Sequence, residues 1–80
     1  MKYVVVKGEY NTERIILFPS MIAHSELTKM GHVVSAGFCS IRHSKGKIDF
    51  CCYGKSESLG MGARDKRDTL LLALLLGEQN

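Results

Sequence analysis

Residues 70–76 read Leu-Leu-Leu-Ala-Leu-Leu-Leu, and no rotation of a helix gathers such a run into a single stripe. Successive helical residues turn by roughly 100°. Leu70, Leu71, Leu74 and Leu75 therefore fill one side, and Leu72 and Leu76 fall on the other. A strand is a poor alternative, because leucine and alanine favour helix and the run shows no alternation. A helix resting on a sheet normally buries one stripe and shows water a polar face. Here the second side carries no polar residue between Thr69 and Gly77.

The chain has 80 residues, enough for a single domain spanning 1–80. A domain of this size removes only about 60% of its unfolded surface from water. Burying one leucine is worth about 1.5–3 kcal/mol, so leaving Leu72 and Leu76 wet forgoes stability that a small domain lacks. Small scaffolds draw support from disulfides, a metal or a partner subunit. The cysteines, Cys39, Cys51 and Cys52, are odd in number with one adjacent pair, a poor disulfide framework. The expectation is a homodimer about a two-fold axis, the commonest closed assembly. Leu70, Leu72 and Leu76 form its expected self-association surface, and replacing Leu72 and Leu76 by glutamate should separate the copies. The competing arrangement lays the first helix over the second side and leaves a monomer.

The leucine run is far short of the about 20 apolar residues that crossing a bilayer requires, and no cleavage-site pattern follows Met1-Lys2. A cytoplasmic location without membrane contact is expected. Eleven basic and eight acidic residues give a net charge of +3, milder than the clustered charge usual in nucleic-acid-binding domains.

Two valine- and isoleucine-rich runs, Lys2–Lys7 and residues 14–18, predict strands joined by turn residues Gly8, Asn11 and Thr12. With the tip at Asn11-Thr12, Glu9 faces Arg14. After Pro19, Ser20 is placed to cap a helix over residues 21–30, with Ile22, Ala23, Leu27 and Met30 on one face and Gly31 as its stop. Residues 32–43 and 47–54 flank Ser44-Lys45-Gly46 and predict a hairpin. Pairing Ser44 with Lys47 sets Arg42 opposite Asp49, Ile41 opposite Phe50, Cys39 opposite Cys52, Phe38 opposite Tyr53 and Gly37 opposite Gly54. Opposite charges, apolar pairs and an aromatic pair all fall into line, as a correct register should produce. Cys39, Ile41, Ile48, Phe50 and Cys52 share the core face, leaving Phe38, Ser40, Arg42, Asp49, Cys51 and Tyr53 on the wetter one. A polar, glycine-spaced loop over residues 55–64 leads to Asp65 as cap of a second helix over residues 69–76. The fold class is α+β: an antiparallel sheet of about four strands with two helices, in the order ββαββα, the helices on one face.

Chemistry-bearing motifs are weak. Gly54-Lys55-Ser56 lacks the glycine five residues earlier, where Asp49 stands, and no helix follows at once, so it is not a phosphate-binding loop. Lys55, Arg64, Lys66 and Arg67 could gather at the second helix's start, but Asp65 and Asp68 already answer that positive end. Cys39 and Cys52 lack the further ligands a zinc site needs. His24, His32 and His43 are scattered, and Cys51 and His24 with Glu26 are the only residues worth testing for catalysis. No cofactor, no metal and no enzymatic activity are expected. Phe38 and Tyr53, beside Arg42 and Lys55, form the candidate partner surface, because aromatics on an open sheet can anchor a protein or stack on bases.

Residues 16–19 running into 23–26, residues 33–38, and Cys52-Tyr53-Gly54-Lys55-Ser56-Glu57-Ser58-Leu59-Gly60 resemble segments of small phage- and prophage-encoded proteins of unassigned function. The resemblance implies a bacterial or viral setting and an accessory role, and carries over no site residues. The expected function is a non-enzymatic accessory protein that binds another protein and self-associates. The alternative is weak nucleic-acid binding through Phe38, Tyr53, Arg42, Lys45 and Lys47.

Overall fold

A computed structural model describes residues 1–77. Strands β1 (Lys2–Lys7), β2 (Glu13–Phe18), β3 (His32–Ser44) and β4 (Lys47–Tyr53) form one antiparallel sheet in the order β2-β1-β3-β4. A small second ladder, β5 (Lys55–Ser56) with β6 (Met61–Gly62), lies within the loop read as irregular, and helix α1 spans Asp65–Gly77. The chain is thus α+β with little helix.

The β3–β4 hairpin has the expected register from Ser44↔Lys47 to Phe38↔Tyr53. Its turn is tight because Lys45 and Gly46 both take positive φ, 50° and 78°, the handedness that matches strand twist in a two-residue hairpin. Gly37 lies beyond the last pair, and only glycine fits it. A Cβ there would stand 2.5 Å from the Tyr53 carbonyl oxygen and 3.2 Å from Ala63.

The sheet is covered on both faces, because β1 is central and buries every residue from Tyr3 to Val6. Alternation sends Tyr3 and Val5 one way, to Ile15, Cys39, Cys52 and Leu72 of α1. Val4 and Val6 go the other way, to Phe18, Val33 and Ala36, and there Leu27, Leu59 and Met61 provide the cover. A bulge leaves Val34 unpaired between Val5↔Ser35 and Val6↔Val33. The two helical segments therefore lie on opposite faces, not on one, since each face of so apolar a central strand needs its own cover.

Three local expectations change. The β1–β2 connection is longer than a tip at Asn11-Thr12: Lys7 pairs with Glu13 and Val6 with Arg14. The chain turns through a 3₁₀ segment, Glu9–Asn11, so Glu9 does not face Arg14. No α-helix covers residues 21–30; a 3₁₀ helix, His24–Met30, begins after Ala23, and no side chain caps it. Its buried anchor is His24, which donates from Nε2 to the Gly37 carbonyl (2.8 Å) and sits edge-on to Phe18 and Phe38. Ile22 and Met30, read as core, are exposed.

The third change concerns α1. Leu72, placed by the sequence in the self-association surface, is 0% exposed, whereas Leu70 and Leu74 are 66% and 65% exposed. Leu76 is half-buried against the core, with Leu71 and Leu75. Asp68 and Thr69 set this rotation: both bond to the sheet, and Leu72 lies one turn after Asp68 on the same face. Glutamate at residue 72 would therefore unfold the domain and not test an interface. Leu72→Ala is expected to lower stability by about 2–5 kcal/mol and Leu70→Ala by under about 0.5 kcal/mol, measured by urea unfolding. Equal losses would show that α1 is rotated differently.

Candidate functional site

The densest polar chemistry lies where α1 meets β1 and β2. Asp68 is fully buried. Its Oδ2 accepts from the Tyr3 hydroxyl at 2.6 Å and from the Arg64 backbone N–H at 2.9 Å, and its Oδ1 accepts from the Arg64 guanidinium at 2.9 and 3.1 Å. Arg64 also donates through both terminal nitrogens to Glu13 of β2, at 3.0 and 3.2 Å. Arg67 donates to the same carboxylate at 3.2 and 3.3 Å. One guanidinium thus bridges two carboxylates, the bidentate geometry in which arginine binds most firmly.

Hydrogen bonds from Arg64, then the charges of Arg64 and Arg67, hold Glu13 below the usual carboxylate range against the opposing effect of burial. Arg64 is pushed up by its bonds to Glu13. Burial, reinforced by the bond to Asp68, pushes the Tyr3 phenol above its ordinary range, so it remains a proton donor. Tyr3, Arg64 and Arg67 all donate to carboxylates within the chain, which makes the cluster a fastening between helix and sheet. Of the four basic residues near this helix start, Arg64 and Arg67 gather, around Glu13. Lys55 and Lys66 are exposed and make no ion pair among the described residues.

The cysteines divide by face. Cys39 and Cys52 oppose each other in the register and are buried, and Cys51 is exposed. Burial pushes the Cys39 thiol up, and burial followed by the nearby Cys39 pushes Cys52 up to about 12. Neutral, enclosed thiols behave as small apolar groups. Among the described residues no three His, Cys, Asp or Glu side chains come together as a metal site.

The expected partner surface is only partly assembled. Phe38 and Tyr53 stack with centroids 6.0 Å apart, but Phe38 is half-buried with its other neighbour the His24 ring. Tyr53, 47% exposed, is the accessible member. Arg42 and Lys55 are exposed. Arg42 lies with Ser40, Asp49, Phe50, Cys51 and Tyr53 along a shallow depression of about 510 Å³.

A second surface lies at the outer side of α1. Leu70 borders Cys51, Cys52 and Tyr53 in an open hollow of about 640 Å³. Leu74 borders a groove of about 420 Å³ against Ile15, Ile16 and Met30. Reading residues 70–76 as a helix showed that leucines must remain outside, but Leu74 was missed as one of them. Asp68, a carboxylate one turn before Leu72, was the available signal.

No helix among the described residues is long and apolar enough to cross a membrane. The chain matches no family model, no curated protein and no solved structure.

Two outcomes test this description. An excess of a maleimide reagent should label Cys51 in the native protein within minutes, and Cys39 and Cys52 only after unfolding, read by mass spectrometry. Because Glu13 is depressed in the folded state, its contribution to stability is present above its ordinary carboxylate pKa of about 4.3 and is lost as pH falls through the folded value. Glu13→Gln should therefore lower stability at pH 7 and flatten the fall below about pH 4.5, followed by urea unfolding across pH. An acid limb as steep as the parent's would assign it to other groups.

Proposed function

We propose that this chain is a non-enzymatic accessory protein that works by binding protein, in the first place a second copy of itself. The observation that carries the reading is the pair Leu70 and Leu74, one turn apart on α1 and 66% and 65% exposed. Single exposed leucines are ordinary on protein surfaces. Two in line on one helix, with a hollow on one side and an apolar groove on the other, make a continuous apolar strip. The core has no room for them, because Leu72 occupies the position under the sheet and Leu71, Leu75 and Leu76 fill the flanks. A partner is the remaining cover, and a two-fold mate presents the same strip in return.

The small size of the fold favours the same conclusion, because subunit burial supplies stability that a small core provides sparingly. The resemblance to small phage and prophage proteins supports an accessory role. The surface around Tyr53, Arg42 and Lys55 is proposed as the place for a different protein partner, where an exposed aromatic stands beside two cations.

The test is mass in solution by sedimentation velocity for the parent and for the Leu70→Glu, Leu74→Glu double variant. The parent should sediment as a dimer at roughly 50 μM and the variant as a folded monomer, consistent with loss of an interface worth micromolar affinity. A variant that retains the parent's mass removes the α1 strip from the interface.

A further inference from the structure

The β4 margin of the sheet carries a second self-complementary feature, and it specifies how two copies would be aligned. Backbone bonds along β3 and β4 alternate in direction. Cys39 N–H donates to the Met1 carbonyl on the β1 side, at 2.8 Å. Its partner in the hairpin, Cys52, points its N–H the opposite way, off the edge of the sheet, where Thr69 Oγ1 of α1 accepts it at 3.0 Å. By the same alternation Ile48 and Phe50 direct their N–H and C=O groups off this edge, and among the described residues no strand lies beyond β4 to receive them.

The hairpin also outruns the sheet. β1 pairs with β3 no further than Phe38, so residues 40–44 and 47–51 form a two-stranded arm. Two strands alone are marginal in water. α1 shelters the arm at Phe50, but Ile48, nearer the tip, is 42% exposed.

Unpaired edges are usually guarded by charge. Here the guards are Lys47 and Asp49, one on each side of Ile48, and neither makes an ion pair among the described residues. Even Arg42, which faces Asp49 in the hairpin, forms no salt bridge with it. The sequence Lys-Ile-Asp is its own complement under reversal. A two-fold axis through Ile48 sets Ile48 against Ile48 and each copy's Lys47 against the other's Asp49, twice. It also sets Phe50 opposite Gly46, where nothing lies within 4 Å of an added Cβ.

Neighbouring registers fail on the same facts. An axis at Asp49 opposes two carboxylates, and one at Lys47 opposes two ammonium groups. One at Phe50 requires the Cys52 N–H that Thr69 already holds.

We infer that the β4 edge is a homotypic interface, at which two copies of this chain join antiparallel about Ile48 with reciprocal Lys47–Asp49 pairs. The inference rests on the proposed self-association and gives it a geometry: the two sheets become one, and Leu70, which flanks Cys51 and Cys52, lies along the seam.

The experiment uses the full chain and two single variants, each followed by sedimentation velocity with circular dichroism to confirm folding. Lys47→Asp places like charges across both halves of the two-fold, as does Asp49→Lys. Each should weaken self-association by about tenfold or more. Mixed in equal amounts, the two should form a heterodimer of parent-like affinity, because every cross-pair is then opposite in sign. Lys47→Asp meets only Ser44 within its own hairpin, so it keeps the test decisive if Asp49→Lys disturbs folding. A dimer that both variants leave unchanged, yet Leu70→Glu with Leu74→Glu dissolves, overturns β4 pairing and leaves the helix interface standing. A dimer dissolved by Lys47→Asp but not by the leucine changes overturns the helix interface alone. A parent that is monomeric at roughly 50 μM overturns both.

Discussion

The buried carboxylate of Asp68 governs the rest of the structure. A charge removed from water is tolerated only when its partners are placed to receive it, and here Tyr3 of β1 and Arg64 at the foot of α1 supply them. Arg64 then continues to Glu13, so β1, β2 and the start of α1 are tied by one chain of charge-assisted bonds. Such bonds are directional, unlike leucine contacts, and they admit one rotation of the helix. With Asp68 inward, Leu72 follows one turn later beneath the sheet, and Leu70 and Leu74 are carried outward.

That rotation links the core to the surface. The sheet needs cover on both faces because β1 is apolar on both. α1 supplies one cover; the His24–Met30 segment and the loop around Leu59 and Met61 supply the other. With the helical segments committed to opposite faces, the described residues leave Leu70 and Leu74 exposed on the outside of α1. The lone α1 guards the β4 margin as well, at Cys52 through Thr69 and by packing at Phe50, and leaves Ile48 exposed. The two surfaces offered for self-association, the leucine strip and the β4 edge, are adjacent consequences of one helix doing the work of two.

Some of this was legible in the residue order. The β3–β4 hairpin was readable because its pairs are close in sequence and because charge, size and aromaticity agree on a single register. The strand at Lys2–Lys7 was readable from valine content. The segment after Pro19 was not. Its apolar residues suggested an α-helix, whereas its structure follows from a polar one, His24, reaching the carbonyl of Gly37 in a strand that comes later. Glu13 was equally opaque: its partners Arg64 and Arg67 lie 51 and 54 residues away, and the ion pair expected at this hairpin was Glu9 with Arg14. The candidate surface was half legible, with Tyr53 accessible as expected and Phe38 turned to His24.

The sequence by itself determined that residues 70–76 hold more leucine than one helical stripe can carry. Which of them face outward, it could not decide, because a helix apolar on every side has no preferred direction of burial. The tertiary structure decided it through a hydrogen bond from Tyr3 to Asp68, across 65 residues. The physical reason is that hydrophobic burial is proportional to area and indifferent to angle, whereas a buried carboxylate is satisfied in few orientations.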